Sequence, residues 1–284
     1  MTVSDPEPVA GQPRKPWLAA LLTLMVPGLG QLYGSDLKRS VAVYLGYFCG
    51  IALFFFSGIL KAFGGLVAFV VVFLAFLIWA MWDAASVARR NRGAAPRPFN
   101  RWYVYGAVIL AQALIGPGLL DFSPVKAFKI VSGSMEPALL VRDRIYADRS
   151  HYSSVKPKRG DLVVYSIPEE PGQKVGRVVG LEGEEIEFRD KVAYIDGRLL
   201  SDPWAVHTDS TIYPRSPFVS ADGAARDNLG RVKIPKGTYF VLGDNRDRSF
   251  DSRFFGPVPL SHLEGRLLYV YLSPDRSRIG KSLK

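Results

Sequence analysis

Residues 129–140 read KIVSGSMEPALL. The stretch follows the last long apolar run of the chain and precedes a series of short β-branched segments, so its reading decides where one kind of structure gives way to another. Within it Gly133 permits a close backbone approach, Pro137 fixes the φ of the exit turn, and Ser132 and Ser134 flank the glycine. Met135 is expected to dip an apolar side chain toward a bilayer surface. By itself the stretch fits a Ser/Gly-rich loop as well as it fits a reactive serine.

Upstream the chain is apolar. A composition of 48% hydrophobic and 22% charged residues over 284 positions is too apolar for a simple soluble enzyme and too polar for a bundle of spans alone. Four apolar segments, 17–34, 41–60, 64–82 and 102–122, make residues 1–122 a membrane region of three to four spans. Pro27, Gly28 and Gly30 interrupt the first segment. It is read here as a span, with a re-entrant hairpin and an interfacial segment as alternatives. No cleavable signal peptide is evident.

The connector at 86–101 holds five arginines and no acid. The positive-inside rule places it in the cytoplasm, and the fourth segment then leads outward. Everything after Phe122 is expected on the extracytoplasmic side of the inner (plasma) membrane, in a multi-pass protein. The side of the N-terminus stays open. The formal net charge of +10 owes much to this arginine block, which suits anionic lipid head groups better than nucleic acid; a bilayer is an expected partner and a nucleic acid is not. Cys49 is the single cysteine, so no internal disulfide forms, and it is read as a small packing residue of the second segment.

Downstream the period changes. Segments 161–167, 175–188, 191–197, 231–244 and 265–273 are short, rich in Val, Ile and Tyr, and separated by turn residues such as PEEPG, EGEE, IDGR and PKGT. Residues 123–284 are therefore expected to form a mostly antiparallel β domain, with 201–230 an irregular insertion over the sheet. The segment RDKVAYIDGR reads as a hairpin arm closed by Asp196 and Gly197. His151, His207 and His262 are the only histidines, and none stands at metal-ligand spacing from another His or from Cys. A zinc site is not expected. A Ser-His-Asp triad is formally allowed, since triads are defined by geometry and not by order, but nothing around these histidines supports one, and they are read as surface or loop residues.

A second stretch changes the weight given to Ser134. GDNRDRSFDSRFFGPVP, residues 243–259, packs Asp244, Arg246, Asp247, Asp251 and Arg253 around Ser249. A turn does not require such a density of alternating charge, whereas ion pairs among these residues would hold a loop rigid beside a site.

With these two stretches, RDRIYADR (142–149), KRGDLVVY (158–165) and GRVVGLEGEEIEF (176–188) in the same order, the chain resembles the bacterial type I signal peptidases, membrane-bound serine endopeptidases that remove signal peptides from exported precursors. The resemblance covers residues 128–272 and leaves the extra apolar segments outside it; the first pair, around PGLGQLYG, is similar to small two-helix membrane modules. It implies a membrane-anchored architecture, N-terminal transmembrane helices followed by a mostly antiparallel β catalytic domain of the signal-peptidase type. It also implies that Ser134 is the nucleophile, that Ser132 helps line the oxyanion hole, and that Ser249 orients the general base. Asp251 and Arg253 would form a supporting ion pair, with Asp244 and Arg177 among the supporting residues. Signal peptides of secreted proteins would be the substrates, and no metal or organic cofactor is needed.

One position departs from the family. Its base is a lysine directly before the arginine matched by Arg177, and here that place holds Gly176. Glu182 and Glu184 replace a proline and an aspartate of the same element. Two readings follow. In one, Lys174 substitutes: residues two apart on a strand share a face, ~6.6 Å apart along the axis, Gly176 leaves space for the long side chain, and burial lowers the amine from its ordinary ~10.4 so that it can accept a proton. In the other, Lys174 is a solvated loop charge and the protein is a non-catalytic homologue that binds peptides or partner proteins. A self-cleaving protein of the same Ser/Lys β fold is a more distant alternative, weakened by the apolar segments.

Overall fold

The computed structural model describes residues 13–95, 97–121, 123–168, 170–214 and 221–283. The chain divides into two compact units, one of Met1–Leu60 with Gly64–Ser123, the other of Lys61–Phe63 with Pro124–Lys284.

The first unit is helical. In α1 (Pro16–Met25) the proline stands at the first helical position, where an N–H would have no intrahelical partner in any case. Pro27 and Gly28 end this arm: proline cannot extend a helix, and Gly28 adopts φ 95°, open to glycine at no Cβ cost. A five-residue helix, α2 (Leu29–Tyr33), follows. The apolar segment 17–34, read as a span, is therefore a broken helix pair. Its 10-residue first arm rises ~15 Å at ~1.5 Å per residue, about half of a ~30 Å hydrocarbon core.

Polar side chains hold α2 in place. Buried Gln31 donates through Nε2 to the Ala80 carbonyl (3.0 Å) and to Asp83 Oδ2 (3.1 Å), and Arg39 Nε reaches Asp83 Oδ1 at 3.1 Å. Gly30 lies against α1 so closely that a Cβ there would stand 2.0 Å from the Ala19 carbonyl oxygen. Two longer helices come next, α3 (Leu37–Phe56), capped by the Asp36 carboxylate on Arg39 N at 3.0 Å, and α4 (Phe63–Arg90). Both are long and apolar enough to cross a membrane. The last helix, α5 (Trp102–Asp121), begins the fourth apolar segment, whose final residue, 122, lies outside the described residues. Cys49 is exposed on α3. That corrects its reading as a packing residue: its position on the helix turns it away from the neighbouring arms.

The second unit is built on two antiparallel sheets. In chain order its elements are β1 (Val125–Lys129), β2 (Arg144–Asp148), β3 (Leu162–Ile167), β4 (Glu170–Gly180), β5 (Glu185–Arg189), β6 (Val192–Ile195) and β7 (Arg198–Leu199). After them come α6 (Ala221–Asp227), β8 (Val232–Lys233), β9 (Thr238–Leu242), α7 (Ser252–Phe255), β10 (Val258–Pro259) and β11 (Leu263–Leu272). The larger sheet is seven-stranded in the order β1-β2-β11-β3-β4-β9-β10, and the smaller is four-stranded in the order β7-β6-β5-β8. Val163, Val164, Val178, Val241 and Leu267 are fully buried, which accounts for the β-branched composition of the central strands.

Several segments read as single strands are divided. Residues 175–188 split at the turn through Gly183 (φ 84°), and 231–244 split where Pro235, which has no N–H to give a ladder, precedes Gly237 (φ 75°). β4 starts at Glu170, inside the stretch read as the PEEPG turn, of which residue 169 lies outside the described residues. Two positive-φ turns close β5 to β6 (Asp190, Lys191) and β6 to β7 (Asp196, Gly197), the second at the place expected for the hairpin. In the insertion 201–230 the only regular element among the described residues is α6, and residues 215–220 lie outside them.

Candidate active site

After β1 the chain leaves the sheet edge as a series of turns, and two side chains pin it down. Met135 is 1% exposed and Leu139 fully buried, both in the core with Ile130, Ile145 and Val164. Met135 is therefore an anchor of the loop and not the apolar contact to a bilayer expected of it; packing beneath the sheet removes it from any outer surface. The apolar side chain that this segment does present outward is Val131, 78% exposed. With Met135 held inside, the serines on either side of Gly133 turn outward, and their hydroxyl oxygens are 3.0 Å apart.

The second stretch comes to the same place from β9. Asn245 N donates to the Ser134 carbonyl at 3.0 Å, so the two loops are joined at the candidate nucleophile's own backbone. Gly243 makes this approach feasible: a Cβ there would lie 2.2 Å from Ser249 Oγ and 2.6 Å from the Ser134 carbonyl oxygen. Beneath the loop, Asp251 accepts from Arg253 Nε (2.9 Å), Arg253 Nη2 (2.9 Å) and Gly243 N (3.1 Å). The Arg253 guanidinium continues to the carbonyls of Arg246 (2.6 Å) and Arg226 (2.8 Å). All of Asp251, Arg253 and Arg246 are buried, and a buried pair with this many satisfied donors specifies one loop conformation.

A second pair supports the strand side. Arg177 forms a two-pronged contact with Asp244, Nε to Oδ1 at 2.7 Å and Nη2 to Oδ2 at 2.6 Å, and its Nη1 donates to the Gly160 carbonyl at 2.8 Å. Its guanidinium lies 4.7 Å from the centroid of the Trp204 ring. Farther out, Lys191 from the β5–β6 turn reaches Asp247 Oδ1 at 2.9 Å, and the backbone N–H groups of Thr208 and Asp209 each donate to Asp247 Oδ2 at 2.8 Å. Burial alone would raise the Asp247 carboxyl, but Lys191 and the Asp209 N–H together hold it below the ordinary carboxylate range.

Above these pairs opens a cavity of about 370 Å³, lined among others by Ser132, Ser134, Tyr165, Lys174, Ser249 and Phe250. The structure thus brings Ser134, Ser132, Ser249 and Lys174 to one cleft, and sets Asp251, Arg253, Asp244 and Arg177 behind it. Lys174 pairs with Tyr165 across β3 and β4, and its Nζ is 5.6 Å from the centroid of the Phe250 ring.

The space expected at Gly176 is not open. A Cβ there would lie 2.6 Å from Val241 Cγ1, 3.1 Å from the Leu242 carbonyl oxygen and 3.2 Å from Tyr165 Cε1. Val241 and Tyr165 already fill the position, so the cleft reaches Lys174 by another side, over Phe250. The aromatic residue after Ser249, the glycine at 243 and Lys129, a second amine on the cavity wall, are features that reading the sequence did not single out. Phe250 and Gly243 had a visible signal, their place inside the charged stretch.

A hydroxyl and an amine facing one cleft, with fixed loops beneath, form a donor set suited to nucleophilic hydrolysis of an acyl bond. The comparisons agree with that class. The family described as signal peptidase, peptidase S26 matches residues 100–272, and the chain belongs to it. Over 175 residues it is 30% identical to a probable signal peptidase I-2 of Synechocystis, covering 60% of this chain and 72% of that one. It is 31% identical over 166 residues to signal peptidase I V of Bacillus subtilis, covering 58% and 94%, and 30% identical over 201 residues to signal peptidase I of Pseudomonas aeruginosa, covering 55% and 71%.

Proposed function

We propose that the protein is a membrane-bound serine endopeptidase of the signal peptidase I type, removing signal peptides from exported precursors with Ser134 as nucleophile and Lys174 as general base. The observation that carries the assignment is the shared cavity: Ser132, Ser134, Lys174 and Ser249 all line it, in a chain whose relatives bear the name signal peptidase I.

In this reading the Ser134 hydroxyl gives its proton to the neutral Lys174 amine as its oxygen attacks the scissile carbonyl carbon. The tetrahedral oxyanion is held by the Ser132 hydroxyl and the Ser134 backbone N–H, donors worth about 3 kcal/mol each. The lysine then protonates the leaving amine, and a water, deprotonated by the same lysine, releases the acyl group and restores the serine. An ammonium cannot do this, so the amine must be neutral at the moment of attack. Substrate would lie extended along the cleft, with the outward side chain of Val131 at its edge.

The helical unit would anchor the enzyme. α3 and α4 have the length and composition of spans. The arginine block between α4 and α5 supports, by the positive-inside rule, a cytoplasmic position for that end, and the β unit would then lie on the outer side of the inner membrane. The division at 1–122 and 123–284 would then separate anchor from catalytic domain.

The test is cleavage of a precursor with alanine at the scissile position by the full chain in lipid. Ser134→Ala and Lys174→Ala are each expected to abolish it, while Lys129→Ala leaves it within a fewfold. Activity that survives Lys174→Ala and disappears with Lys129→Ala would move the base to the other wall of the cleft. No cleavage by the unaltered chain would favour the peptide-binding reading.

A further inference from the structure

Among its described residues, the helical unit contains a buried cation without a counter-charge. Arg14 is 6% exposed and stands just before α1. Its backbone N–H donates to the Arg92 carbonyl at 3.4 Å and its Nη2 to the Ala94 carbonyl at 3.3 Å. Its Nη1 is buried and has no hydrogen-bond partner among the described residues. Among the described residues no carboxylate pairs with it, and the segment it packs against carries Arg89, Arg90, Arg92 and Arg97, all exposed. Burial pulls the guanidinium below its ordinary value, with Tyr105 and Tyr33 acting in the opposite sense and Arg97 reinforcing the fall. A buried arginine remains charged, and leaving it unpaired is costly.

The same side chain lines a cavity of about 460 Å³, whose wall also includes Lys15, Tyr33, Asn100 and Tyr105. The two tyrosine hydroxyls are oriented from the protein side: Tyr33 accepts from Lys15 N at 3.1 Å and Tyr105 accepts from Asn100 Nδ2 at 3.1 Å. Each therefore keeps its own proton to donate. Two cations and two hydroxyl donors around one opening, at the N-terminal end of a 10-residue helix with no acid in its first turn, are arranged for an anion with several acceptor oxygens.

We propose that this cavity is a phosphate-binding site, with Arg14 as the central ligand and Lys15, Tyr33 and Tyr105 around it. A carboxylate would meet the charge but would leave donors unused, whereas a phosphate group presents enough oxygens for all four. The phosphate can be carried by an anionic phospholipid or be free in solution. The site lies within the helical unit and shares no residue with the peptidase cleft, and its fate does not depend on that reading.

The full chain is compared in phosphatidylcholine nanodiscs with and without phosphatidylglycerol, and in neutral detergent with increasing inorganic phosphate. Thermal unfolding is the readout, and native mass spectrometry counts bound lipid. The unaltered chain is expected to gain several degrees in Tm with phosphatidylglycerol; an equal gain with inorganic phosphate assigns the site to free phosphate, and a gain with the lipid alone assigns it to a headgroup. Arg14→Gln is expected to lose the gain, and Arg90→Gln, which removes an exposed charge of the same block, to keep it. Because Arg14→Gln could unfold the unit, Lys15→Gln, at an exposed position, serves as the second variant and is expected to weaken binding by about tenfold, as one hydrogen bond to a charged group does. Absence of a gain with either phosphate source, or equal gains in Lys15→Gln, Arg90→Gln and the unaltered chain, overturns the proposal.

Discussion

Gly243 and Ser249 are in such close contact that the space for a Cβ on the first is taken by the hydroxyl of the second, 2.2 Å away. The same missing Cβ admits the Ser134 carbonyl oxygen at 2.6 Å. One glycine thus sets the distance between the loop that carries the candidate nucleophile and the loop that carries its partner serine. Gly243→Ala must push one of them away. An ångström of misplacement at a reacting centre costs about 10²-fold in rate, so kcat/KM for precursor cleavage is expected to fall by about that factor with the near-UV circular dichroism preserved. A variant within twofold of the parent would show that the two loops move independently.

Restoring the family lysine is expected to fail. At position 176 the first side-chain atom already meets Val241 Cγ1 at 2.6 Å, a β-branched methyl that cannot swing aside, and the backbone oxygen of Leu242 at 3.1 Å. Replacing a strand glycine gains about 0.5–1 kcal/mol, but overpacking costs about 1–3 kcal/mol. Gly176→Lys is therefore expected to lower the urea midpoint and leave kcat no higher, and Val241→Ala in the same chain to recover part of the lost stability. A Gly176→Lys chain both more stable and faster would contradict this account of the displaced amine.

The Arg177–Asp244 pair is buried and joined by two hydrogen bonds of 2.7 and 2.6 Å. Removing one partner leaves a buried charge uncompensated, at a cost of about 3–5 kcal/mol. Arg177→Gln is expected to lose stability on that scale in denaturant unfolding. Replacing both residues, with Met at 177 and Leu at 244, is expected to cost less than either single change. Equal losses in the single and double variants would mean that the contacts of Arg177 with the Gly160 carbonyl and the Trp204 ring, and not its pairing with Asp244, account for the loss.

Acid sensitivity follows from carboxylates held low in the folded state. Asp209 is pushed down to about 2, first by the Thr211 N–H and then by Arg226. Asp247 is also lowered, its burial outweighed by Lys191 and the Asp209 N–H. A carboxyl depressed by folding contributes stability that is complete above its unfolded value of about 3.9 and is lost as pH falls through the folded value. Urea midpoints are therefore expected to be flat with respect to these groups from pH 5 to 7, and to drop between about pH 4 and 2. Asp247→Asn is expected to reduce that slope and to lower the midpoint at neutral pH; an unchanged slope would place the acid-labile group elsewhere.

Much of the architecture is legible along the chain, because period and composition are local properties. The apolar runs at 41–60 and 64–82 correspond to α3 and α4, and the β-branched segments from 161 onward correspond to central strands. The strands β1 and β2 escape such reading: VKAFK and RIYAD are only five residues long and neither alternates strictly between charged and apolar residues, so no period is established. The break at Pro27 and Gly28 is visible in sequence, but whether the two arms form one crossing or a folded-back pair depends on Gln31 finding Asp83, a contact across 52 positions.

For the candidate site, the sequence by itself determined which residue types are available: two serines around a glycine, a charged loop around a third serine, and no lysine next to Arg177. Chain order cannot say whether an empty position is empty in space, because that depends on side chains from other strands. Only the tertiary structure decided that Val241 and Tyr165 occupy the room beside Gly176, that Met135 faces the core, and that Lys174 and Phe250 meet at the cleft. The first is a contact among β3, β4 and β9, and the others join the loops after β1 and β9 to the sheet; these elements are brought together by hydrogen-bond register and shared burial, and no local pattern encodes them.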